Sequence, residues 1–187
     1  EFGGHCKDNK LHKVTLRGHT KPELRKINYA LVGVGAFGTT MLVPQLDKLS
    51  DKFHLSAVVS KDPVRGGNFA RSRRVKTLTS NIDEVLGDEQ IQLIVIATRH
   101  TDHANKSCAA LKAGKSVFVE KPLALTWEEL DQVRDAYEMS DKNSIFMVGF
   151  NRRFAPAVQT LKKMLVGRRS PLVVNYRLNA GYISSNH

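Results

Sequence analysis

Ile27-Asn-Tyr-Ala-Leu-Val-Gly33-Val-Gly35-Ala-Phe-Gly38 is the stretch that decides the fold. An apolar run, Ile27–Val32, ends in Gly33-x-Gly35-x-x-Gly38 and passes into a second apolar stretch. The pattern predicts a strand, a tight turn and a helix, the setting in which this glycine spacing cradles a dinucleotide. Gly33 suits the turn, Gly35 lets backbone approach a pyrophosphate, and Gly38 lets the helix pack close to the strand. Ala36 and Phe37 lie in the first helical turn, where free N–H groups and a partial positive charge face the phosphates. These five residues are candidate cofactor ligands. The alternative is a glycine turn that binds nothing.

Working outward, the predicted elements alternate. The helix after the glycines spans about 37–49, with Pro44 inside it removing a backbone donor and kinking it. Strands are expected at 54–60, 75–77, 91–98, 116–120 and 145–149, the run 91–98 being continuously apolar as for a strand covered on both faces. Between them lie helices at about 65–73, 82–86, 102–113 and 126–140. Asn81-x-x-Glu84 and Thr126-x-x-Glu129 read as capping boxes, and Gly114 as a helix stop. Such alternation requires a parallel, doubly wound α/β sheet, because parallel neighbours need helical crossovers.

Three segments are expected: a polar leader or linker over 1–26, a dinucleotide-binding domain over 27–149, and the start of a second α/β domain over 150–187. The last holds one helix, 157–166, closed by Gly167, and one strand, 172–178. These cannot bury a core of their own, so the second domain is read as cut short.

The 187 residues carry a formal charge of +11. The cations concentrate in the leader, in Lys61–Lys76 and in Arg152–Arg169. No helix-turn-helix, zinc finger or RNP-type motif accompanies them, and a phosphate-rich cofactor accounts for part of the second cluster, so nucleic acid is not the expected partner. No run of 18 apolar residues marks a membrane span, and no signal-peptide pattern opens the chain. Cys6 and Cys108 stand far apart in no CxxC spacing, which fits a reducing cytoplasm. His5, Cys6, His12 and His19 match no common zinc spacing, so no metal is expected.

Strand 54–60 ends in Ser60-Lys61, with Arg65 close behind. In NAD binders an acid near this point accepts the ribose hydroxyls. Here Asp62 lies past the strand end. Ser60 can hydrogen-bond a 2′-phosphate, and Lys61 and Arg65 can neutralise it. NADP is therefore favoured over NAD, with NAD held through backbone and Ser60 as the alternative.

Further motifs sit at strand ends, where ligands bind in such sheets. Ala97-Thr98-Arg99-His100-Thr101-Asp102-His103 follows one strand, Ala110-Leu-Lys-Ala-Gly-Lys115 precedes the next, and Glu120-Lys121-Pro122 closes it. Gly149-Phe-Asn-Arg-Arg-Phe-Ala-Pro156 follows the last. A lysine beside an apolar cofactor ring loses hydration and becomes a candidate acid or base.

In this order and spacing the chain resembles the glucose–fructose oxidoreductase / inositol dehydrogenase / MocA (Gfo/Idh/MocA) family from about Ile27 onward. The resemblance implies a Rossmann domain followed by an α/β domain with an open sheet. It implies NAD- or NADP-dependent oxidation or reduction of sugars, cyclitols or related polyols, by a homo-oligomer in the full-length protein. It also implies that Lys121 is catalytic or orients substrate, with Thr98, His103, Glu120, Pro122 and Arg152 near the nicotinamide; Arg99, next to Thr98, is a further candidate cofactor ligand. Arg99 stands where the family often has Pro. Asn175–Tyr182 resembles a subgroup fused to an alcohol-dehydrogenase-like domain. Non-catalytic sensors and transcriptional regulators of the same superfamily are the alternative reading.

Overall fold

The computed structural model describes Val14–Thr15, residues 26–177, and residues 179, 181 and 182. Two compact units divide the chain, residues 1–150 and 151–187.

The first unit is built on a seven-stranded sheet: β1 (Val14–Thr15), β2 (Ile27–Val32), β3 (Phe53–Val59), β4 (Thr77–Thr79), β5 (Leu93–Ile96), β6 (Ser116–Val119) and β7 (Phe146–Val148), in the order β1-β4-β3-β2-β5-β6-β7. All pairings from β4 to β7 are parallel. The strand order reverses between β2 and β5, which is the topological switch point of a Rossmann sheet. The expected doubly wound α/β fold is therefore the observed one.

Alternation along each strand fills both faces. Ala30, Val32, Ile94, Ile96, Val117 and Val119 point to one side, beneath α3 (Asp83–Leu86), α4 (His103–Lys112) and α5 (Trp127–Glu138). Tyr29, Leu31, Val58 and Val95 point to the other, beneath α1 (Val43–Asp47) and α2 (Pro63–Ser72). Burial on both faces is why these strands read as continuous apolar runs.

Several expectations shift. The helix after the glycines is continuous from Ala36 to Asp47, but its middle, Gly38–Leu42, is a π-turn, with the Val43 N–H reaching the Gly38 carbonyl. Pro44 lacks an N–H and its ring crowds the carbonyl four residues back; widening the preceding turn accommodates it. The strand expected at 75–77 forms at Thr77–Thr79, with Val75 instead buried in the α1–α2 face of the core. Within the segment read as a leader, Val14–Thr15 adds an antiparallel edge to β4; the rest of 1–25 lies outside the described residues, and so do His5, Cys6, His12 and His19.

The second unit holds a short 3₁₀ turn, Asn151–Phe154, and α6 (Pro156–Met164). The strand expected at 172–178 is absent over 171–177, and Leu178 lies outside the described residues. Leu172–Val174 have strand-forming side chains, but a strand needs a hydrogen-bonding neighbour and no ladder is formed there.

Candidate active site

The site is set by a row of residues one step beyond the strands. The Gly33 N–H donates to Val59 O at 2.9 Å, Ala97 to Val32 O at 2.9 Å, Glu120 to Ile96 O at 3.0 Å and Gly149 to Val119 O at 2.8 Å. Ser60 joins the same row through Thr79 O at 2.9 Å. The carboxyl edge thus aligns Ser60, Gly33, Ala97, Glu120 and Gly149 across five neighbouring strands.

Gly33 adopts φ +96°, and a Cβ there would stand 2.7 Å from Ala97 O. The switch point closes to backbone contact at this place, so only glycine fits. A Cβ on Gly38 would stand 3.0 Å from Ala97 Cβ, whereas Gly35 has nothing nearer than Ala97 O at 3.7 Å. Gly38 therefore serves helix packing and Gly35 leaves room for a ligand. Ala36 and Phe37 are exposed at the start of the helix, whose first N–H groups have no intrahelical acceptor. This open, donor-rich cradle fits a pyrophosphate.

At the β3 end, the buried Ser60 hydroxyl donates to Asp62 O at 2.9 Å and accepts from Asp62 N at 3.2 Å. Ser60 thus shapes the turn. The Asp62 carboxylate caps α2 by accepting from the Arg65 N–H at 2.9 Å, and lies 3.8 Å from Arg65 Nε. Lys61 and Arg65 are exposed beside it.

At the other end, Lys121 is exposed and Glu120 is buried at 8% exposure. A Cβ on Gly149 would lie 2.7 Å from Glu120 Oε1. The Glu120 carboxylate therefore occupies the space that a glycine leaves free on β7's exit. Sequence reading passed over this role of Gly149, because the two residues meet only through strand pairing. The Lys121–Pro122 peptide is cis. The segment ends on a variant of the expected capping box: Thr126 Oγ1 accepts from Glu129 N at 3.2 Å, while Glu129 Oε2 accepts from Leu125 N, one residue before the cap, at 2.7 Å. Thr98 is half-buried and Arg99 exposed on the loop after β5.

His103 is placed differently from a ligand. Its ring is 1% exposed, and both nitrogens face backbone carbonyls. Arg152 belongs to the second unit, where its guanidinium donates to the Tyr176 hydroxyl at 3.4 Å. Among the described residues no group of three or more His, Cys, Asp or Glu is arranged to hold a metal ion.

Sheet order, glycine turn and carboxyl-edge row define a dinucleotide-binding Rossmann domain. The family model for oxidoreductases with an NAD-binding Rossmann fold, Gfo/Idh/MocA, matches residues 27–150, and the chain belongs to that family. It is 32% identical over 148 residues to levoglucosan dehydrogenase of Pseudarthrobacter phenanthrenivorans, covering 76% of this chain and 37% of the relative. It is 30% identical over 160 residues to inositol 2-dehydrogenase 2 of Saccharopolyspora erythraea, covering 83% and 46%. A solved levoglucosan dehydrogenase, in complex with NADH and levoglucosan, superposes with a TM-score of 0.67 at 29% identity, covering 76% of this chain and 41% of that one. The chain thus spans less than half the length of these relatives.

Proposed function

We propose that this sequence is the cofactor-binding part of an NAD(P)-dependent oxidoreductase that passes a hydride between nicotinamide and a sugar, cyclitol or related polyol. The observation that carries the reading is the carboxyl-edge row. Ser60 and Glu120 lie three strand spacings apart, ~14 Å. A small ligand cannot touch both ends, whereas an extended dinucleotide passes over the glycine cradle between them. The names of the relatives support the polyol class.

A bound nicotinamide supplies the hydride chemistry. The chain's own residues orient it and handle the proton. The glycine turn and the first helical turn hold the pyrophosphate. Thr98, Arg99, Glu120 and Pro122 border the reacting end, with Arg152 assigned there by family resemblance. Lys121 holds or moves the proton of the substrate hydroxyl. In the full-length enzyme Lys121→Ala is expected to lower turnover about 10²-fold or more while leaving cofactor affinity nearly intact. Unchanged turnover would remove Lys121 from catalysis.

NADP is the favoured cofactor. The one acid near the β3 end, Asp62, is committed to capping α2, and the Ser60 hydroxyl is closed on the same turn. Lys61 and Arg65 then remain to meet a 2′-phosphate. Fluorescence titration should show NADPH binding more tightly than NADH, and the double change Lys61→Ala, Arg65→Ala should weaken NADPH about tenfold, in the range of charge-assisted contacts. Equal affinities in the unaltered chain would overturn the preference, and binding of neither would overturn the dinucleotide reading. A reducing cytoplasm is the inferred setting, resting on the two widely spaced cysteines of the sequence, and a homo-oligomer is the inferred full-length assembly. Among the described residues no helix is long and apolar enough to cross a membrane.

A further inference from the structure

His103 opens α4 beneath the site. Its Nδ1 lies 2.7 Å from the Pro122 carbonyl oxygen and its Nε2 lies 3.2 Å from the Thr98 carbonyl oxygen. Thr98 belongs to the loop leaving β5, and Pro122 to the segment leaving β6. One buried ring therefore spans the two chain segments that leave neighbouring strands at the reacting end. Both segments have just left the sheet, so neither carbonyl has a ladder partner. Pro122 also lacks an N–H, so its carbonyl is the only backbone group through which that position can be tied down.

We propose that His103 is a positioning residue that ties the Lys121–Pro122 segment to the start of α4 and so fixes where Lys121 stands over the cofactor site. The shorter contact assigns the ring proton: Nδ1–H donates to Pro122 O, and Nε2, which then carries no hydrogen, only packs beside Thr98 O. Imidazole suits the task because a rigid ring holds its N–H on the Pro122 carbonyl. The far end of the Lys121 segment is anchored separately, by the Thr126–Glu129 capping box. His100 packs edge-on against the same ring, with centroids 5.7 Å apart. The proposal rests on the reading of 120–122 as the reacting end, but the tie can be measured without any cofactor.

The test uses this chain with His103→Leu, His103→Asn and His103→Gln. Hydrogen–deuterium exchange is followed over 97–102 and 119–125, alongside urea midpoints and NADPH titration. An Asn amide can stand in for Nδ1 and a Gln amide for Nε2. His103→Leu should speed exchange over 119–125 about five- to tenfold, the scale of a lost hydrogen bond, and change 97–102 less. His103→Asn should restore protection to 119–125 and keep NADPH affinity near the unaltered value, while His103→Gln should leave 119–125 loosened. If the Leu variant does not fold, the Asn and Gln pair decides. Equal loosening of 119–125 by Asn and Gln, or no loosening by any variant, would overturn the proposal. Failure of the unaltered chain to bind NADPH or NADH would instead count against the dinucleotide reading and leave the exchange result standing.

Discussion

Tyr29 shows how one buried side chain makes stability depend on pH. Its ring is 1% exposed, and burial pushes its phenol well above the ordinary value of 10, with the Asp47 carboxylate adding to the shift and the Arg73 guanidinium opposing it. In the unfolded chain the phenol ionises near pH 10, while in the folded protein it keeps its proton. The folded state therefore holds more protons above that pH, and stability falls as pH rises. The fall approaches ~1.4 kcal/mol per pH unit once the unfolded phenol is ionised. Urea midpoints measured from pH 9 to 11.5 should show this loss, and Tyr29→Phe should show a shallower one. At this scale the sequence was a partial guide. The glycines were legible because φ and close approach restrict residue type. The burial of His103 was not, since a histidine in a strand-end motif reads equally as a ligand and as a core residue.

Elements are held together by side chains that reach between turns. Lys115 ends the Ala110–Lys115 motif with 8% exposure, and its Nζ donates at 2.8 Å both to Asp88 O and to Ile91 O. The ammonium ties the entry of β6 to the entry of β5. Burial lowers its pKa, with Asp88 and Glu89 partly restoring it. Lys115→Met would fill similar volume but leave two carbonyls without their donor, at a cost of about 2 kcal/mol read from urea unfolding. A midpoint equal to the unaltered chain's would show that water replaces the ammonium. Strand and helix positions were readable from periodicity, and most boundaries fell within a few residues. The π-turn was not: Pro44 announced a disturbance, but whether the helix breaks, kinks or widens depends on packing against the sheet, where Val43 is fully buried. The strand expected at 172–178 had the composition of a strand, but among the described residues 171–177 form no ladder.

Across the whole molecule, charge that forms one block in the sequence is divided by the fold. Lys61 and Arg65 stand at the carboxyl edge, where a phosphate is expected. Arg73 and Arg74, after α2, line a cleft of about 310 Å³ with Lys26, Asp47 and His54, at the entries of β2 and β3. Arg73 pairs with Asp47 there and lies over the Phe69 ring. A helix of ten residues carries its two ends to opposite edges of the sheet, which is why a charge run is a poor guide to a single partner. The sequence by itself determined the glycine turn, the alternation of strands and helices, and with them a parallel sheet whose ligand edge is the carboxyl one. Those follow from local sterics and from periodicity, which each segment carries within itself. Only the tertiary structure decided that Glu120 fills the space left by Gly149, that His103 is buried between two loops, and that Ser60 and Asp62 are committed to their own turn. Each depends on which strands become neighbours and in what register, and that is fixed by packing both faces of the sheet at once.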